Sequence, residues 1–328
     1  MLKYYNNITK TLIIPCEFNE ELKDIPNETE IIIFSQLKHT DYSKFNQIIK
    51  ENVLPYSLHT LSFGHYFNQE IKENVLPCSL HTLVFGKHFD QKIKENVLPC
   101  SQHTLVFGEH FDQEIKENVL PCSLHTLTFG LNFNQVIKKN VLPSLLHTLT
   151  MGYYFNQEIN ENVLPKNLHT LVFGWDFNQE IKENVLPSSL HTLTLGFCFN
   201  QEIKENVLPG SLHTINFGWK FNQEIKENVL PNSLHTFTIS YHFNKEIKDN
   251  VFPKSIKKIG LFSHCNLINN LPLRIEEVYI MFSIDDYENK EVNNLPITLE
   301  KIYIYNEKHL KYITKRPFNC DIIIQKID

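Results

Sequence analysis

The chain predicts a repeat solenoid: a right-handed coil with one parallel β-strand per 22-residue turn and short helical or irregular outer segments. Three observations predict it. A unit opening with Phe-Asn or Phe-Asp recurs every 22 residues, at Phe45, Phe67, Phe89, Phe111, Phe133, Phe155, Phe177, Phe199, Phe221 and Phe243. No insertion or deletion breaks the register across these ten copies. Each unit also carries one short run of strand character, Leu80-His81-Thr82-Leu83-Val84-Phe85 in the second copy. A fixed period in the twenties means that one supersecondary unit stacks on the next.

The roles within a turn follow from periodicity. Leu83 and Phe85 point inward with Leu80 at the entry, while Thr82, Val84 and Gly86 point to the other face. Identical strands stacked in register give a parallel sheet with neighbours ~4.8 Å apart, and about thirteen turns make a sheet on the order of 60 Å long. The return path from Gln69 to Val75 has Ile71 and Val75 four apart, which suits a short helical turn. Pro77 ends it, because the residue before a proline is pushed out of the helical region. The core of a turn is then Phe67, Ile71, Val75 or Leu76, Leu80, Leu83 and Phe85. Burying each contributes roughly 1.5–3 kcal/mol, and no turn can bury the set without neighbours. Gln102 stands where other turns have Leu58, Leu80, Leu124 or Leu146, so a local weak spot is expected there.

The consensus Phe67-Asn68, Ile71, Leu76-Pro77 and Leu80-x-x-Leu83-x-Phe85-Gly86 resembles the FNIP repeat, a relative of the leucine-rich repeat. The resemblance covers about Phe45 to His264. It implies a leucine-rich-repeat-like coil, a protein of social amoebae or of the giant viruses that infect them, and work in protein–protein contact. Some members carry an N-terminal F-box. Here the first residues read as turns rather than as a helical module, so no F-box is expected.

The whole chain reads as one continuous solenoid: degenerate repeats or a cap at 1–44, ten regular repeats at 45–264, and degenerate repeats with a cap at 265–328. Lys10 to Ile14, Phe18 to Leu22 and Ile25-Pro26 form a worn copy of the unit, and Glu30 to Phe34 is the next strand. A terminal turn lacks a neighbour on one side, so degeneration there is expected. After Phe243, strand-like runs at Ile256 to Phe262, Ile275 to Phe282 and Leu299 to Tyr305 continue the coil. Asp285-Asp286-Tyr287-Glu288 is an acidic insert, and Asp321 to Ile327 reads as a closing strand that blocks edge-to-edge pairing.

Composition narrows the function. The net charge of -6 comes with no basic block, which disfavours binding to nucleic acid through its phosphates. No apolar run is long enough to span a membrane and no secretory signal opens the chain, so a cytoplasmic protein is expected, in the host cytoplasm if the source is viral. Seven scattered cysteines in such a chain read as free thiols. An enzyme needs a few different polar groups converging on one point. The His column (His59, His81, His103, His125, His147, His169, His191, His213, His235) repeats along the coil and defines no such point. The Cys78, Cys100 and Cys122 column has one ligand type and no C-x-x-C spacing, so it reads as small side chains at a turn rather than a metal site. No catalytic residue, metal or cofactor is expected.

Two asparagine columns read as structural. Asn52, Asn74, Asn96, Asn118, Asn140, Asn162, Asn184, Asn206, Asn228 and Asn250 never change, whereas the column after Phe admits Asp90 and Asp112. A buried ladder needs an amide that donates and accepts, so the invariant column is the expected ladder. The Asn/Asp column is expected to accept from backbone N–H as a cap. Glu70, Lys72 and Glu73 recur as solvated charge columns. The glycine column from Gly64 to Gly218 reflects either positive φ or a close approach.

Where the copies differ, the fold does not dictate the residue. The two positions after the glycine vary most and are rich in aromatics: Tyr66, Tyr153, Tyr154, Trp175, Phe197, Trp219 and Tyr241. These residues form a candidate partner-binding stripe, since large aromatics anchor protein interfaces. The other reading is that the rings fold over the edge and shield the core. The expected function is thus a monomeric, non-enzymatic scaffold for a protein partner. The alternative is a self-assembling structural protein that uses the flat Thr/Gly sheet face or the solenoid ends.

Overall fold

The computed structural model describes residues 4–35, 42–262, 264–282 and 290–325. It is a β-solenoid of about 14 turns with parallel strands about 22 residues apart. Two compact units divide it. One takes in the chain up to Leu168 plus Phe173–Trp175; the other takes in His169–Val172 and everything from Asp176 onward.

The first unit holds β1 (Tyr5–Asn6), β2 (Thr11–Ile14), β3 (Ile31–Phe34), β4 (Thr60–Ser62), β5 (Thr82–Val84), β6 (Thr104–Val106), β7 (Thr126–Thr128) and β8 (Thr148–Thr150). From β2 onward neighbours pair in parallel, and from β4 the partners are equivalent residues, as in Thr82↔Thr104 and Leu83↔Leu105. β1 was not foreseen; it runs antiparallel to β2 with Tyr5 opposite Leu12. The second unit holds β9 (Thr170–Val172), β10 (Thr192–Thr194), β11 (Thr214–Asn216), β12 (Thr236–Thr238), β13 (Lys258–Phe262), β14 (Glu277–Met281), β15 (Lys301–Ile304) and β16 (Asp321–Ile324), each parallel to the next. The regular strands are three residues long, shorter than the six-residue run that the pattern allowed. β16 is the expected last strand, although Ile324 is exposed on it. The acidic insert at 285–288 and the end of the Asp321 to Ile327 run lie outside the described residues.

The core is built from columns of equivalent, almost entirely apolar side chains. Leu80, Leu83, Phe85 and Phe89 are buried, as are their counterparts in the other regular turns. Phe85 and Phe89 stack face to face at 3.8 Å. The Phe column stacks along the coil, with Phe67–Phe89 at 6.1 Å and Phe199–Phe221 at 6.1 Å. Offset stacked rings are worth more than their area alone, so each Phe both fills its turn and ties it to the next. Gln102, in the buried Leu column, is fully buried; its Nε2 donates to the Thr104 carbonyl at 3.3 Å, and its Oε1 finds no acceptor role.

The outer segment corrects one expectation. In the regular turns it is not helical. The chain runs irregularly from Phe67 to Lys72, then turns at Glu73-Asn74. The helical reading fails because Asn74 sits at φ 60°, in the left-handed region that a helix cannot include. Among the described residues, helical outer segments are 3-10 turns in the tenth copy, at Asp249–Val251, and beyond it, at Asn266–Asn269 and Glu307–Tyr312.

The same observation overturns the ladder expected of the invariant asparagine column. Asn52, Asn74, Asn96, Asn118, Asn140, Asn162, Asn184, Asn206 and Asn228 all have φ between 60° and 66° and are exposed. They are invariant because Asn tolerates left-handed backbone, not because they form a ladder. Asn250 leaves the left-handed region and joins the first 3-10 turn. The Asn/Asp column accepts from backbone N–H, as expected of it, and does so from turn to turn, which makes it the ladder. The Oδ1 of Asn68 accepts from the Asp90 backbone N–H at 2.9 Å and from Gln91 Nε2 at 3.0 Å. Asp90 does the same for Asp112 and Gln113, and Asn200 for Asn222 and Gln223. Only the acceptor oxygen is used between turns, which is why aspartate substitutes freely. The sequence carried a signal for this: a Gln follows the Asn or Asp in nine of ten copies, from Gln47 to Gln223.

Candidate functional site

The rim is positioned by the turn that leaves each strand. Phe85 is buried, Gly86 follows, and the Phe89 N–H returns to the Gly86 carbonyl at 3.1 Å. The two residues between, Lys87 and His88, are thereby carried outward as the middle of a turn. Adjacent rims are also laced together: His88 N–H donates to the His65 carbonyl at 3.0 Å, and Lys220 N–H to the Phe197 carbonyl at 2.9 Å. No glycine has positive φ. A Cβ on Gly86 would lie 1.7 Å from the Gly64 carbonyl oxygen, and one on Gly108 would lie 1.8 Å from that of Gly86. Of the two readings of the glycine column, close approach is therefore the cause: turns pack backbone on backbone at this corner.

In the first unit the rim begins as a cluster of imidazole and phenol rings. Tyr42 stacks on His65 at 4.0 Å, His65 meets His88 at 4.9 Å, and His88 meets His110 at 4.4 Å. Tyr66 stacks on His88 at 5.1 Å. Burial and the neighbouring imidazoles and Lys87 hold His65 below its ordinary pKa, and the same causes lower His88. Lys87 pairs with Glu109 at 2.8 Å, which raises the lysine. A hollow of about 490 Å³ opens beside Tyr42, His65, Lys87 and Glu109. Further along, Tyr153 stacks on Trp175 at 5.1 Å and meets Tyr154 edge-on at 4.9 Å.

In the second unit the rim is a continuous ring stack. Phe197 lies 5.6 Å from Trp219, and Trp219 lies 4.3 Å from Tyr241 with planes 8° apart. Phe262 and His264 close the stack edge-on against Tyr241 at 5.0 and 4.6 Å. Lys220 Nζ sits over the Phe197 ring at 5.8 Å, a cation–π contact. A hollow of about 480 Å³, lined by Tyr241, His242, Phe243, Asn244, His264, Asn266 and Lys290, adjoins the stack. Trp219 stacks with both Phe197 and Tyr241. Tyr66, Tyr154, Trp175 and Trp219 are exposed, Trp219 at 37%, while Tyr153, Phe197 and Tyr241 are half-buried.

The other polar columns are regular rather than convergent. Imidazoles of the His column lie 5.0–5.4 Å apart, edge-on or tilted from His59 to His125 and stacked at His125–His147 and from His169 to His235. Nδ1 of His125 and of His191 lies 2.6 Å from the Ser123 and Ser189 carbonyls, which fixes Nδ1–H as the donor. On the outer face Lys94 pairs with Glu70 and Lys204 with Glu180, at 2.6 and 2.7 Å, one turn on, and each lysine lowers its partner's pKa. Among the described residues no three His, Cys, Asp or Glu side chains are grouped to hold a metal ion. No helix among them is long and apolar enough to cross a membrane.

The FNIP repeat model matches seven stretches, 45–88, 67–110, 89–132, 111–154, 133–171, 155–198 and 199–242. The chain belongs to the FNIP repeat family. Among solved structures it is similar to CroV588, a giant-virus protein described as a novel circular LRR structure. The identity is 45% and the TM-score 0.78, over 95% of this chain and 46% of that one. The chain thus spans about half the length of CroV588. An internalin of Listeria monocytogenes, InlF, aligns over 79% of this chain and 85% of its own at 14% identity and a TM-score of 0.44. No curated protein matches.

Proposed function

We propose that this FNIP-repeat solenoid is a non-enzymatic, monomeric scaffold that binds a protein partner through its aromatic rim. One observation carries the reading: the rim aromatics are not needed to seal the core. In the turn whose rim is Leu131-Asn132, with no ring, Phe129 is as deeply buried, at 4% exposure, as Phe173 beneath Trp175. The rings of Trp175 and Trp219 are therefore surplus to packing, and each is exposed. Exposed indoles and phenols combine apolar area with an N–H or O–H at the tip, the combination that protein interfaces favour. Sugar platforms need a bare ring face, and here the faces are stacked. The hollow beside Tyr241 supplies the concavity into which a partner side chain would fit.

The test is affinity capture from amoeba lysate, the source the family implies, using wild type and two variants. Trp175→Ala with Tyr154→Ala alters the first unit's rim, and Trp219→Ala with Tyr241→Ala alters the second's. Circular dichroism establishes that each variant is folded. A protein retained by wild type and lost by either variant supports the rim; equal capture by all three refutes it. Light scattering that shows size growing with concentration moves the reading to self-assembly.

A further inference from the structure

We propose that Cys78, Cys100 and Cys122 form an oxidation-responsive clasp, in which peroxide couples Cys100 to one of its two neighbours and bridges adjacent turns. The three residues occupy the same corner of consecutive turns. Each is the second residue of a tight turn that begins at proline: Leu80 N–H returns to the Pro77 carbonyl at 3.0 Å, Gln102 to Pro99 at 3.1 Å and Leu124 to Pro121 at 3.1 Å. The corners are bound to one another. Ser101 Oγ donates to the Cys78 carbonyl, and also to that of Leu80 at 3.2 Å, while Ser123 Oγ donates to the Gln102 carbonyl at 2.7 Å.

The spacing fits a disulfide between neighbours and forbids one across two turns. Four residues on, β5, β6 and β7 pair in register, Thr82↔Thr104↔Thr126, and the imidazoles three residues on are 5.1 Å apart at both steps. Equivalent Cα atoms in adjacent parallel strands lie ~4.8 Å apart, inside the 4.4–6.8 Å span of disulfides, whereas two steps give about 10 Å. The side chains are also free to turn toward each other. All three thiols are exposed. Gly210 holds the same position in a later turn, and a Cβ there would meet nothing within 4 Å. By contrast Cys16, Cys265 and Cys320 are buried, and burial pushes the thiols of Cys265 and Cys320 up, away from the reactive thiolate.

The chemistry balances with peroxide as oxidant. One thiolate sulfur attacks a peroxide oxygen, the O–O bond breaks, and sulfenic acid and one water result. The neighbouring thiol attacks that sulfur, the S–O bond breaks, an S–S bond forms, and a second water leaves. Two thiols lose two electrons and peroxide gains them.

The experiment treats the full chain with a small excess of hydrogen peroxide and maps it by non-reducing tryptic mass spectrometry. Each cysteine sits on its own peptide, after Lys72, Lys94 and Lys116 respectively. The titratable thiols are expected to fall from seven to five, with a 78–100 or 100–122 cross-link. Cys78→Ser should retain the 100–122 link, and Cys122→Ser the 78–100 link. Cys100→Ser should abolish the link while leaving Cys78 and Cys122 open to iodoacetamide. A 78–122 link in the Cys100→Ser protein, links only between molecules, or no link in wild type with all three thiols alkylatable would overturn the proposal.

Discussion

Swapping substitutions between Asn200 and Asn206 tests the assignment of the two asparagine columns. Both lie in one turn, six residues apart, and only the column of Asn200 admits aspartate. Asn206 is exposed at φ 63°. Alanine there keeps the strained backbone without the local preference of Asn for it, a loss of about 1 kcal/mol. Glycine relieves the strain and should leave stability within a few tenths. Asn200 Oδ1 accepts from the Asn222 N–H at 2.8 Å and from Gln223 Nε2 at 3.1 Å. Alanine or glycine there leaves a half-buried backbone N–H without its acceptor, a loss of about 1–3 kcal/mol, while aspartate keeps the acceptor and should be tolerated. The predicted orders are crossed: glycine is benign at 206 and harmful at 200, and aspartate is benign at 200. Because repeat arrays unfold by segments, the assay is hydrogen exchange of peptides spanning 199–238, read beside urea unfolding. Equal losses for Asn206→Gly and Asn206→Ala, or for Asn200→Asp and Asn200→Ala, would refute the assignment.

The remaining predictions follow from single contacts. Gly108→Ala should destabilise by about 3 kcal/mol or more, since its Cβ would lie 1.8 Å from a carbonyl oxygen and the backbone of two turns would have to part. Gly210→Ala, which meets nothing, should instead stabilise by about 0.4–1 kcal/mol through the unfolded chain; thermal melts of the two proteins check both. Gln102→Leu should raise stability by about 1–3 kcal/mol, because it removes a buried Oε1 that has no partner and restores the apolar column; a lower urea midpoint would contradict this. The folded first unit favours neutral His65 and His88, whose pKa values lie below those of the unfolded chain. Their contribution is therefore complete above about pH 6.5 and is lost as pH falls from there toward the lower native values. A His65→Gln, His88→Gln variant should show a smaller drop in Tm between pH 7.5 and 5.5 than wild type.

Most of the fold was legible because a solenoid repeats its constraints. A column such as Leu83, Leu105 and Leu127 states ten times over that its position is inward, and the Thr82↔Thr104 register follows once no insertion breaks the period. What was misread was local geometry. Ile71 and Val75 are four apart, as in a helix, but both are buried by a turn that Asn74 makes with positive φ. Periodicity reports which side chains are buried and not the path between them. β1 was missed because a two-residue strand has no period, and its pairing depends on a non-local partner in β2.

The asparagine columns mark a sharper limit. Invariance was read as hydrogen bonding, yet a residue may be fixed by its side chain or by its backbone, and the two demands select different substitutes. Aspartate substitutes where an acceptor is required, as at Asp90 and Asp112; it does not appear where the left-handed backbone is required. The same logic separates the rim from the rest. The glycine before it is fixed by the neighbouring carbonyl, the phenylalanines around it by stacking, and the two residues between by nothing in the turn itself. Such positions drift toward polar residues unless something else acts on them, as they do at Lys87-His88 and Glu109-His110. From Tyr153 to Tyr241 the first of the two is aromatic in every turn, and that departure from drift is what the binding variants interrogate.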